Sequence, residues 1–293
     1  GIEAKRLGFP VIWHLRSSYY PSHSRFQARI SEQIIRWAAD KLIAISEDET
    51  DGFEDLTKLH IIHNSVDPTQ SGEAENQRDM IRKELGVLPD QILIGTVSST
   101  ISEVRGTWDF LNAAGLVKRL APDFDLRFVV VAKIPDRTLS VKGVRERLRF
   151  TETTHPEDKA WQIAREANIA SQLILTGYRK DALSIMAAMD IVVVCNRHGV
   201  LGRMPFEAMS VGRPVVVTAG HSGRSQIISE GETGFLASPG DPDSIADAVI
   251  RLVKNPKLRQ KMGKAGKIYS RQEFNPQHNA KKIEQVYIEV MEK

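Results

Sequence analysis

The chain has 293 residues with 40 lysines and arginines against 37 aspartates and glutamates, a net charge of +3, and 41% of its residues are hydrophobic. This composition is typical of a globular protein and excludes wholesale disorder and collagen-like structure. The charge balance is too mild to indicate a nucleic-acid partner, and no apolar run reaches the roughly 18 residues of a membrane span. The length fits one large domain or about two ordinary ones.

The elements predicted before residue 68 are those of a small α/β unit. Residues 4–9 resemble the end of a helix, with Lys5 and Arg6 in its last turn and Gly8 as the stop. A domain seldom starts in this way, so we expect residues to be missing before Gly1. The predicted elements that follow are a strand at 10–15, a helix at 25–39, a strand at 41–45, a short acidic helix after Ser46 and a strand at 59–63.

Two segments of this part are defined by their side-chain pattern. Apolar residues recur at spacings of three and four across 25–39, which predicts a helix with one apolar face. The residues of this face are Phe26, Ile30, Ile34 and Trp37. Residues 69–76 are polar without any apolar periodicity, and we interpret them as a linker or an exposed loop.

Apolar runs of strand length alternate with helical windows in the rest of the chain. Such an alternation is typical of a parallel sheet covered on both faces, whose ligands bind beyond the carboxyl ends of the strands. Residues 133–160 are long for a crossover, so we expect an inserted helix there. We interpret its arginines at 145, 147 and 149 as a solvated helix face, and the alternative is that they bind an acceptor or a lipid headgroup. The predicted strands are 92–97, 126–132, 173–176, 191–195 and 214–218, and the last helices are 242–254, 256–271 and 276–292.

The single cysteine, Cys195, lies inside one of these apolar runs. A lone thiol excludes an internal disulfide framework and a zinc site built from several cysteines. We therefore interpret Cys195 as a buried structural thiol and expect a reducing, cytoplasmic compartment.

The stretch 199–218 has the pattern of an anion-binding turn. Gly202 follows a strand and leads into a helix predicted at 204–211, which Gly212 ends. The amino terminus of a helix offers unpaired N–H groups and partial positive charge, which suit a phosphate. Glu207 lies one turn inside, where its carboxylate can accept hydrogen bonds from the two hydroxyls of a ribose. The alternative from the residues alone is that Glu207 caps the helix or forms an ion pair, and that the glycines only turn the chain.

This helix is one of a longer series of motifs. The series consists of Asn64-Ser65-Val66-Asp67, Thr176-Gly177-Tyr178 followed by Asp190, Gly202-Arg203 with Glu207-Ala208-Met209 and Gly212, Gly231-Glu232-Thr233-Gly234-Phe235-Leu236, and Pro239-Gly240-Asp241-Pro242. In this order the motifs resemble those of group 1 retaining glycosyltransferases of the GT-B fold, over nearly the whole chain apart from residues 133–160. The resemblance implies an α/β protein with two Rossmann-like domains and parallel sheets, the first of them incomplete here. It also implies sugar transfer from a nucleotide diphosphate sugar with retention at the anomeric carbon, without a cofactor or a required metal.

The resemblance implies roles for individual residues in the cleft between those domains. Glu207 would bind the ribose, and the turn Gly202-Arg203-Met204 would present backbone N–H groups to the diphosphate and the sugar. Arg105 matches a lysine whose charge stabilises the departing diphosphate, and His14 matches a histidine near the donor sugar. The other implied donor contacts are Ser98, Ser99, Gly177 and Tyr178.

Each of these roles has an alternative that the sequence leaves open. His14 is also explained as a satisfied core or cleft histidine, and Arg105 as a solvated loop cation. Tyr178 is also explained as a packing residue, and Arg203 as the partner of a surface carboxylate.

Three positions depart from the family pattern. Gly199 occupies the position of the first of two glutamates, Ser98-Ser99 replaces a Gly-Arg pair, and Gln226 stands where a glutamate is frequent. Serine hydroxyls bind phosphate more weakly than a bidentate guanidinium does. Two alternatives to an enzyme therefore stay open, namely a nucleotide-sugar-binding relative with little or no turnover and a structural interaction module.

The resemblance also predicts the domain organisation and the partners. We expect a partial acceptor-side domain at 1–67, a nucleotide-sugar domain at 68–275 and a helix at 276–293 that crosses back to the first domain. The expected partners are a UDP- or GDP-linked sugar donor and a glycan or lipid-linked acceptor, with at most peripheral contact at the inner membrane surface. An incomplete domain exposes apolar surface, so a homodimer is a further expectation.

Overall fold

Apolar strands and amphipathic helices alternate to build two parallel sheets. The computed structural model describes residues 1–16, 25–46, 50, 57–137, 154–197, 202–218 and 227–292. The elements up to residue 61 are α1 (Ile2–Arg6), β1 (Ile12–Leu15), α2 (Arg25–Ala38), β2 (Lys41–Ala44) and β3 (Leu59–Ile61). The later elements are α3 (Pro68–Asn76), α4 (Arg78–Glu84), β4 (Ile92–Thr100), α5 (Thr107–Leu120), β5 (Leu126–Lys133), α6 (Pro156–Glu166), β6 (Leu173–Gly177), α7 (Ala182–Ala188), β7 (Ile191–Val194), α8 (Met204–Ser210), β8 (Val215–Thr218), β9 (Gly234–Ala237), α9 (Pro242–Val253), α10 (Pro256–Glu273) and α11 (Pro276–Met291).

The first sheet contains three parallel strands in the order β1-β2-β3. Its two faces bury different partners because successive side chains of a strand point to opposite sides. On one face Leu42 packs with Leu15 and with Ile35 of α2. On the other face Ile43 packs against Val286 of α11, so the last helix of the chain lies on the first sheet.

The larger sheet contains six parallel strands in the order β6-β5-β4-β7-β8-β9. Val193 belongs to the core under α5, α6 and α9, whereas its neighbours Val192 and Val194 belong to the core under α3, α4, α7 and α8. Apolar strands buried on both faces are what the sequence predicted, and the α/β architecture is confirmed. Cys195 is buried, as predicted.

The chain passes between the two sheets twice, and the two crossings are bonded to each other. The Val66 N–H donates to the carbonyl of Phe274 at 3.0 Å. The Asn279 amide, in the first turn of α11, donates to the carbonyl of His63 at 2.9 Å and contacts Ser65 Oγ at 3.3 Å. These bonds fix the first crossing against the second.

The interpretation of residues 69–76 as a linker or loop is wrong, because they form most of α3. The Thr69 N–H donates to Asp67 Oδ1 at 2.8 Å, which caps the helix. The helix buries the small side chains of Ser71 and Ala74 rather than large apolar ones. A helix that packs through small residues has no apolar periodicity to detect, and its capping aspartate is the signal that was available.

The face that α2 presents to its sheet also differs from the predicted one. Ile30, Ile34 and Trp37 are between 38% and 55% exposed, whereas Ile35 and Ala38 are buried. The helix is therefore rotated so that Ile35 meets the sheet. Strand β9 was not predicted at all, because it is short and begins at a glycine.

Some predictions fall on residues outside the described part of the chain. These are Phe26, whose side chain is not described, most of the acidic helix after Ser46, and the arginines at 145, 147 and 149 within the expected inserted helix. Among the helices that the structure does describe, none is both long and apolar enough to traverse a lipid bilayer.

Candidate functional site

The strand order of the larger sheet reverses between β4 and β7. The chain runs outward from β4 to β5 and β6 and then returns to place β7 on the other side of β4. The loops that leave neighbouring strands at such a point diverge and open a crevice beyond the carboxyl ends, which is where ligands bind in open α/β sheets. Most of the predicted site residues lie here: Ser98, Ser99 and Arg105 follow or end β4, and Gly202, Arg203, Met204 and Glu207 follow β7.

The β4 side of the crevice presents hydroxyls and one cation. Ser98 is half-buried and its Oγ donates to a backbone carbonyl two residues along at 3.0 Å, whereas Ser99 and Arg105 are exposed. Gly106 has a φ of +66° and precedes α5. A Cβ at this position would overlap the side chain of Cys195. The glycine thus lets the loop that carries Arg105 lie directly against the end of β7.

The β7 side presents Glu207 at the start of α8. Gly202 turns the chain with a φ of +61°, and α8 begins at Met204. Arg203 Nη2 lies 3.2 Å from Glu207 Oε1, with 62% of the arginine side chain and 23% of the glutamate side chain exposed. Burial raises the pKa of Glu207, and the charge of Arg203 opposes this only in part.

Arg203 and Glu207 thus form an ion pair with each other, as the alternative interpretation of each residue had it. A pair whose arginine is this exposed stabilises the fold by less than about 1 kcal/mol. Ligand hydroxyls can therefore replace Arg203 at the Glu207 carboxylate at little cost. Helix α8 has seven residues, so its macrodipole is small, and positive charge for a phosphate has to come from side chains such as Arg105 and from backbone N–H groups.

Gly177 and Tyr178 lie at the end of β6, at the edge of the sheet. Gly177 has a φ of +73°, and Tyr178 is 68% exposed, so it does not pack in the core. Since β6 is two strands away from β4, these residues are about 10 Å to one side of the crevice at the usual strand spacing.

An ion pair between the exposed Arg197 and the buried Asp109, which the sequence did not indicate, joins the two sides of the crevice. Arg197, three residues after β7, donates from Nε and Nη2 to both carboxylate oxygens of Asp109 at 2.9 and 2.8 Å. It also pairs with Glu103, and its N–H donates to the carbonyl of Val104 at 3.2 Å. Asp109, in the first turn of α5, is only 3% exposed. Its only sequence signal was a carboxylate beside apolar residues at a helix start, because its partner is 88 residues away.

His14 lies apart from these residues, on the first sheet. It is largely exposed on β1, and the partial burial of its ring, together with the charge of Arg16, lowers its pKa. It lines a groove of about 630 Å³ between β1, α1 and α11, next to Trp13 and Tyr287. Within the described ranges no hydrogen bond or ion pair joins His14 to the β4–β7 crevice.

Two of the positions that depart from the family pattern, Gly199 and Gln226, lie outside the described residues. Asp190 does not lie at the crevice: it precedes β7 and pairs with Arg78 and Arg82 at the opposite end of the sheet. In the part of the chain that is described, no group of three or more His, Cys, Asp or Glu side chains is placed to hold a metal ion.

Fold and site together define a doubly wound α/β protein with a ligand crevice at the switch point of its larger sheet. The family model described as "Glycosyl transferases group 1" matches residues 77–269, well over half of the chain. The chain belongs to this glycosyltransferase family.

Curated relatives agree with this assignment at low identity. The N-acetyl-alpha-D-glucosaminyl L-malate synthase of Bacillus anthracis is 21% identical over 259 residues, which cover 86% of this chain and 60% of the relative. The alpha-D-kanosaminyltransferase of Streptomyces kanamyceticus is 22% identical over 285 residues, which cover 89% of this chain and 66% of the relative. The chain thus spans about 60–66% of the length of these two relatives.

Solved structures establish the fold. HepE from Anabaena, crystallised with UDP and glucose, superimposes with a TM-score of 0.78 at 19% identity, covering 98% of this chain and 73% of HepE. WaaG, a glycosyltransferase involved in lipopolysaccharide biosynthesis, gives a TM-score of 0.69 at 15% identity, covering 94% of this chain and 75% of WaaG. The predicted GT-B fold is confirmed.

Proposed function

We propose that this chain forms the donor side of a retaining glycosyltransferase, which transfers a sugar from a UDP- or GDP-linked donor to a glycan or lipid-linked acceptor. The observation that carries the proposal is the crevice at the switch point, with the exposed Arg105 on one side and the half-buried Glu207 on the other. Family membership and the UDP-bound HepE structures support it.

The proposal gives each side of the crevice one task. Glu207 accepts hydrogen bonds from the ribose hydroxyls, which replace its contact with Arg203. The Gly202 turn and Met204 direct backbone N–H groups to the diphosphate, and Arg105 neutralises the charge that develops on it as the glycosidic bond breaks. Removal of one such preorganised charge costs about 3–4 kcal/mol in the transition state.

The remaining residues contribute to binding in this proposal. Ser98 and Ser99 donate hydroxyls to phosphate in place of an arginine. Gly177 and Tyr178, to one side of the crevice, contact the base. His14 is kept as a sugar-side residue on the strength of the family resemblance alone.

A thermal-shift titration with UDP, GDP, ADP and their common sugars tests the donor site. A ligand at about 100 times its dissociation constant adds about 2.7 kcal/mol, which raises the melting temperature by about 5–10 °C for a domain of this size. We expect this shift with one base in the wild type and in the control Glu284→Ala, which removes an exposed carboxylate of α11. We expect Glu207→Ala to lose the shift; an unchanged shift in Glu207→Ala would refute the ribose role.

Turnover separates the enzyme from the binding relative that the Ser98-Ser99 substitution keeps open. An enzyme releases the nucleoside diphosphate only when both donor and acceptor are present. We expect Arg105→Gln to slow this release by about a hundredfold or more. Nucleotide binding without release favours the binding relative, and the absence of any nucleotide effect favours an interaction module.

A further inference from the structure

A second concave site lies at the amino-terminal ends of the strands of the larger sheet, opposite the end that carries the crevice. Arg213 directly precedes Pro214 and β8, whereas the crevice lies beyond the carboxyl ends of the strands. Since β8 spans four residues, the two sites are separated by about 13 Å of strand or more. The second site is a cavity of about 580 Å³ between the start of β8 and α10, and five cations line it: Arg213, Lys257, Arg259, Lys264 and Lys267.

The carboxylates at this cavity are already paired. Glu75 binds Lys267, with 2.7 Å between Nζ and Oε2. Asp190 binds Arg78 at 2.6 Å and Arg82 at 2.9 Å, and neither arginine lines the cavity.

Four of the lining cations therefore have no carboxylate of their own. In the part of the chain that the structure describes, no acidic side chain forms an ion pair with Arg213, Lys257, Arg259 or Lys264. Lys257 lies in the first turn of α10, where the helix dipole adds further positive potential. The lining thus carries five cations against the two carboxylates of Glu75 and Asp190, an excess of positive charge as large as the +3 of the whole chain.

The two arginines are held in place by backbone carbonyls. Arg213 Nε donates to the carbonyl of Val211 at 3.1 Å, and Arg259 Nη1 donates to the last carbonyls of α9 at 2.7 and 2.8 Å. Burial, followed by the charge of Arg78, lowers the pKa of Arg213 to about 10. Arg213 still carries its charge at neutral pH, in a place where an anion would stabilise it.

We propose that this basic pocket binds a soluble phosphate-bearing compound, such as a phosphate ester or a diphosphate, at a site separate from the donor crevice. Guanidinium groups bind phosphate oxygens in a bidentate manner, and lysines add point charges around them. The volume is that of a small-molecule pocket, larger than one phosphate needs, so an ester can place the rest of its structure there as well. A concave pocket of this kind suits a soluble ligand better than a flat membrane surface.

The position of the pocket links it to α8. Val211, Gly212 and Arg213 directly follow that helix and form one wall of the pocket. Gly263 of α10 lies so close to the Gly212 carbonyl that a Cβ would overlap it. A ligand bound to Arg213 therefore holds the carboxyl end of the helix whose first turns carry Glu207.

Calorimetric titration with inorganic diphosphate tests the proposal. We expect binding to the wild type and at least a tenfold weaker affinity in Arg213→Gln, a loss of about 1.4 kcal/mol. The double variant Lys257→Gln/Lys264→Gln gives a second reading, because both lysines are exposed and their replacement does not disturb the core. Lys261→Gln, on an exposed part of the same helix and outside the lining of the pocket, keeps wild-type affinity.

Several results would overturn the proposal. They are the absence of binding to the wild type, equal affinity in the wild type and both pocket variants, and loss of binding in Arg105→Gln with retention in Arg213→Gln. Co-sedimentation with phosphatidylglycerol and phosphatidylcholine vesicles distinguishes a lipid headgroup. Arg213-dependent binding to phosphatidylglycerol vesicles, without any response to diphosphate, would overturn the soluble ligand. None of these results depends on the donor site being active.

Discussion

Glu207 shows at the residue scale how the proposed binding role and a stability cost coincide. Its carboxylate is mostly buried, and its partner Arg203 is too exposed to compensate for the lost hydration. The folded protein therefore holds a proton on Glu207 more strongly than the unfolded chain, whose carboxyl has an ordinary pKa of 4.5. Titratable groups perturbed in this way are concentrated at functional sites.

The raised pKa predicts a pH-dependent difference between the wild type and Glu207→Gln. Because the folded state binds the proton more tightly, the contribution of Glu207 to stability falls as pH rises from the unfolded pKa through the folded pKa. We expect the melting temperatures of the two proteins to differ by a constant amount below about pH 4 and the variant to gain relative to the wild type as pH rises toward 7. Parallel thermal melts across this range measure the effect, and a difference that is the same at every pH would contradict it.

At the scale of elements, Arg197 and Asp109 join the loop after β7 to the start of α5. We expect Asp109→Asn to lower the free energy of unfolding by about 1–3 kcal/mol, because a charge-assisted pair with a buried carboxylate is lost. The control Glu103→Gln removes the exposed partner of the same arginine and costs less than about 1 kcal/mol. Urea unfolding measures the free energy of unfolding of both variants. Equal losses of this free energy in the two variants would show that the burial of Asp109 is unimportant.

Two helical glycines predict opposite effects of the same substitution. A Cβ at Gly72 of α3 meets no atom within 4 Å, whereas a Cβ at Gly263 of α10 would overlap the Gly212 carbonyl oxygen. Gly72→Ala should stabilise the protein by about 0.5–1 kcal/mol through helix propensity and a less flexible unfolded chain. Gly263→Ala should destabilise it by about 1–3 kcal/mol through steric overlap. Denaturant midpoints measure both, and destabilisation by Gly72→Ala would show that α3 is not the helix described.

The elements that were predicted correctly are those with a strong local pattern. Strands such as β7 and β8 are continuous β-branched runs, and α9 and α10 begin with an Asp-Pro or Asn-Pro cap. Helix α3 also begins with an Asp-Pro cap, at Asp67-Pro68, but it packs through Ser71 and Ala74 and therefore has no apolar period. The rotation of α2 depends on which side meets the sheet, and that is decided by tertiary contacts rather than by local periodicity.

The candidate site could be predicted only where its residues follow strand ends. Glu207 and Arg105 were found because they belong to motifs of consecutive residues. Arg197 and Asp109 come together only in the folded chain, across 88 positions. The basic pocket was missed for the same reason, since Arg213 and Lys264 are far apart in sequence.

At the scale of the whole molecule, α11 connects the end of the chain to the first sheet. Val286 is buried against Ile43 and Ile62, and Glu289 pairs with Lys41 at 2.7 Å. These contacts make the stability of the first sheet depend on the last helix.

This dependence predicts a local effect of Val286→Ala. The loss of two buried methyl groups costs about 1–3 kcal/mol, and we expect the amides of β2 and β3 to lose protection from hydrogen exchange before those of β4 and β5. The matched variant Val253→Ala, fully buried in α9, should instead affect the larger sheet. Equal loss of protection in both sheets for both variants would contradict the prediction.

The packing of Val286 on Ile62 also sets an order of events on the ribosome. The two residues are 286 − 62 = 224 positions apart. At a translation rate of about 5–20 residues per second, Val286 is therefore synthesised roughly 10–45 s after Ile62. During that interval the larger sheet can complete both of its cores, whereas one face of the first sheet stays uncovered. A nascent chain halted before α11 would thus be the form in which chaperones meet this protein.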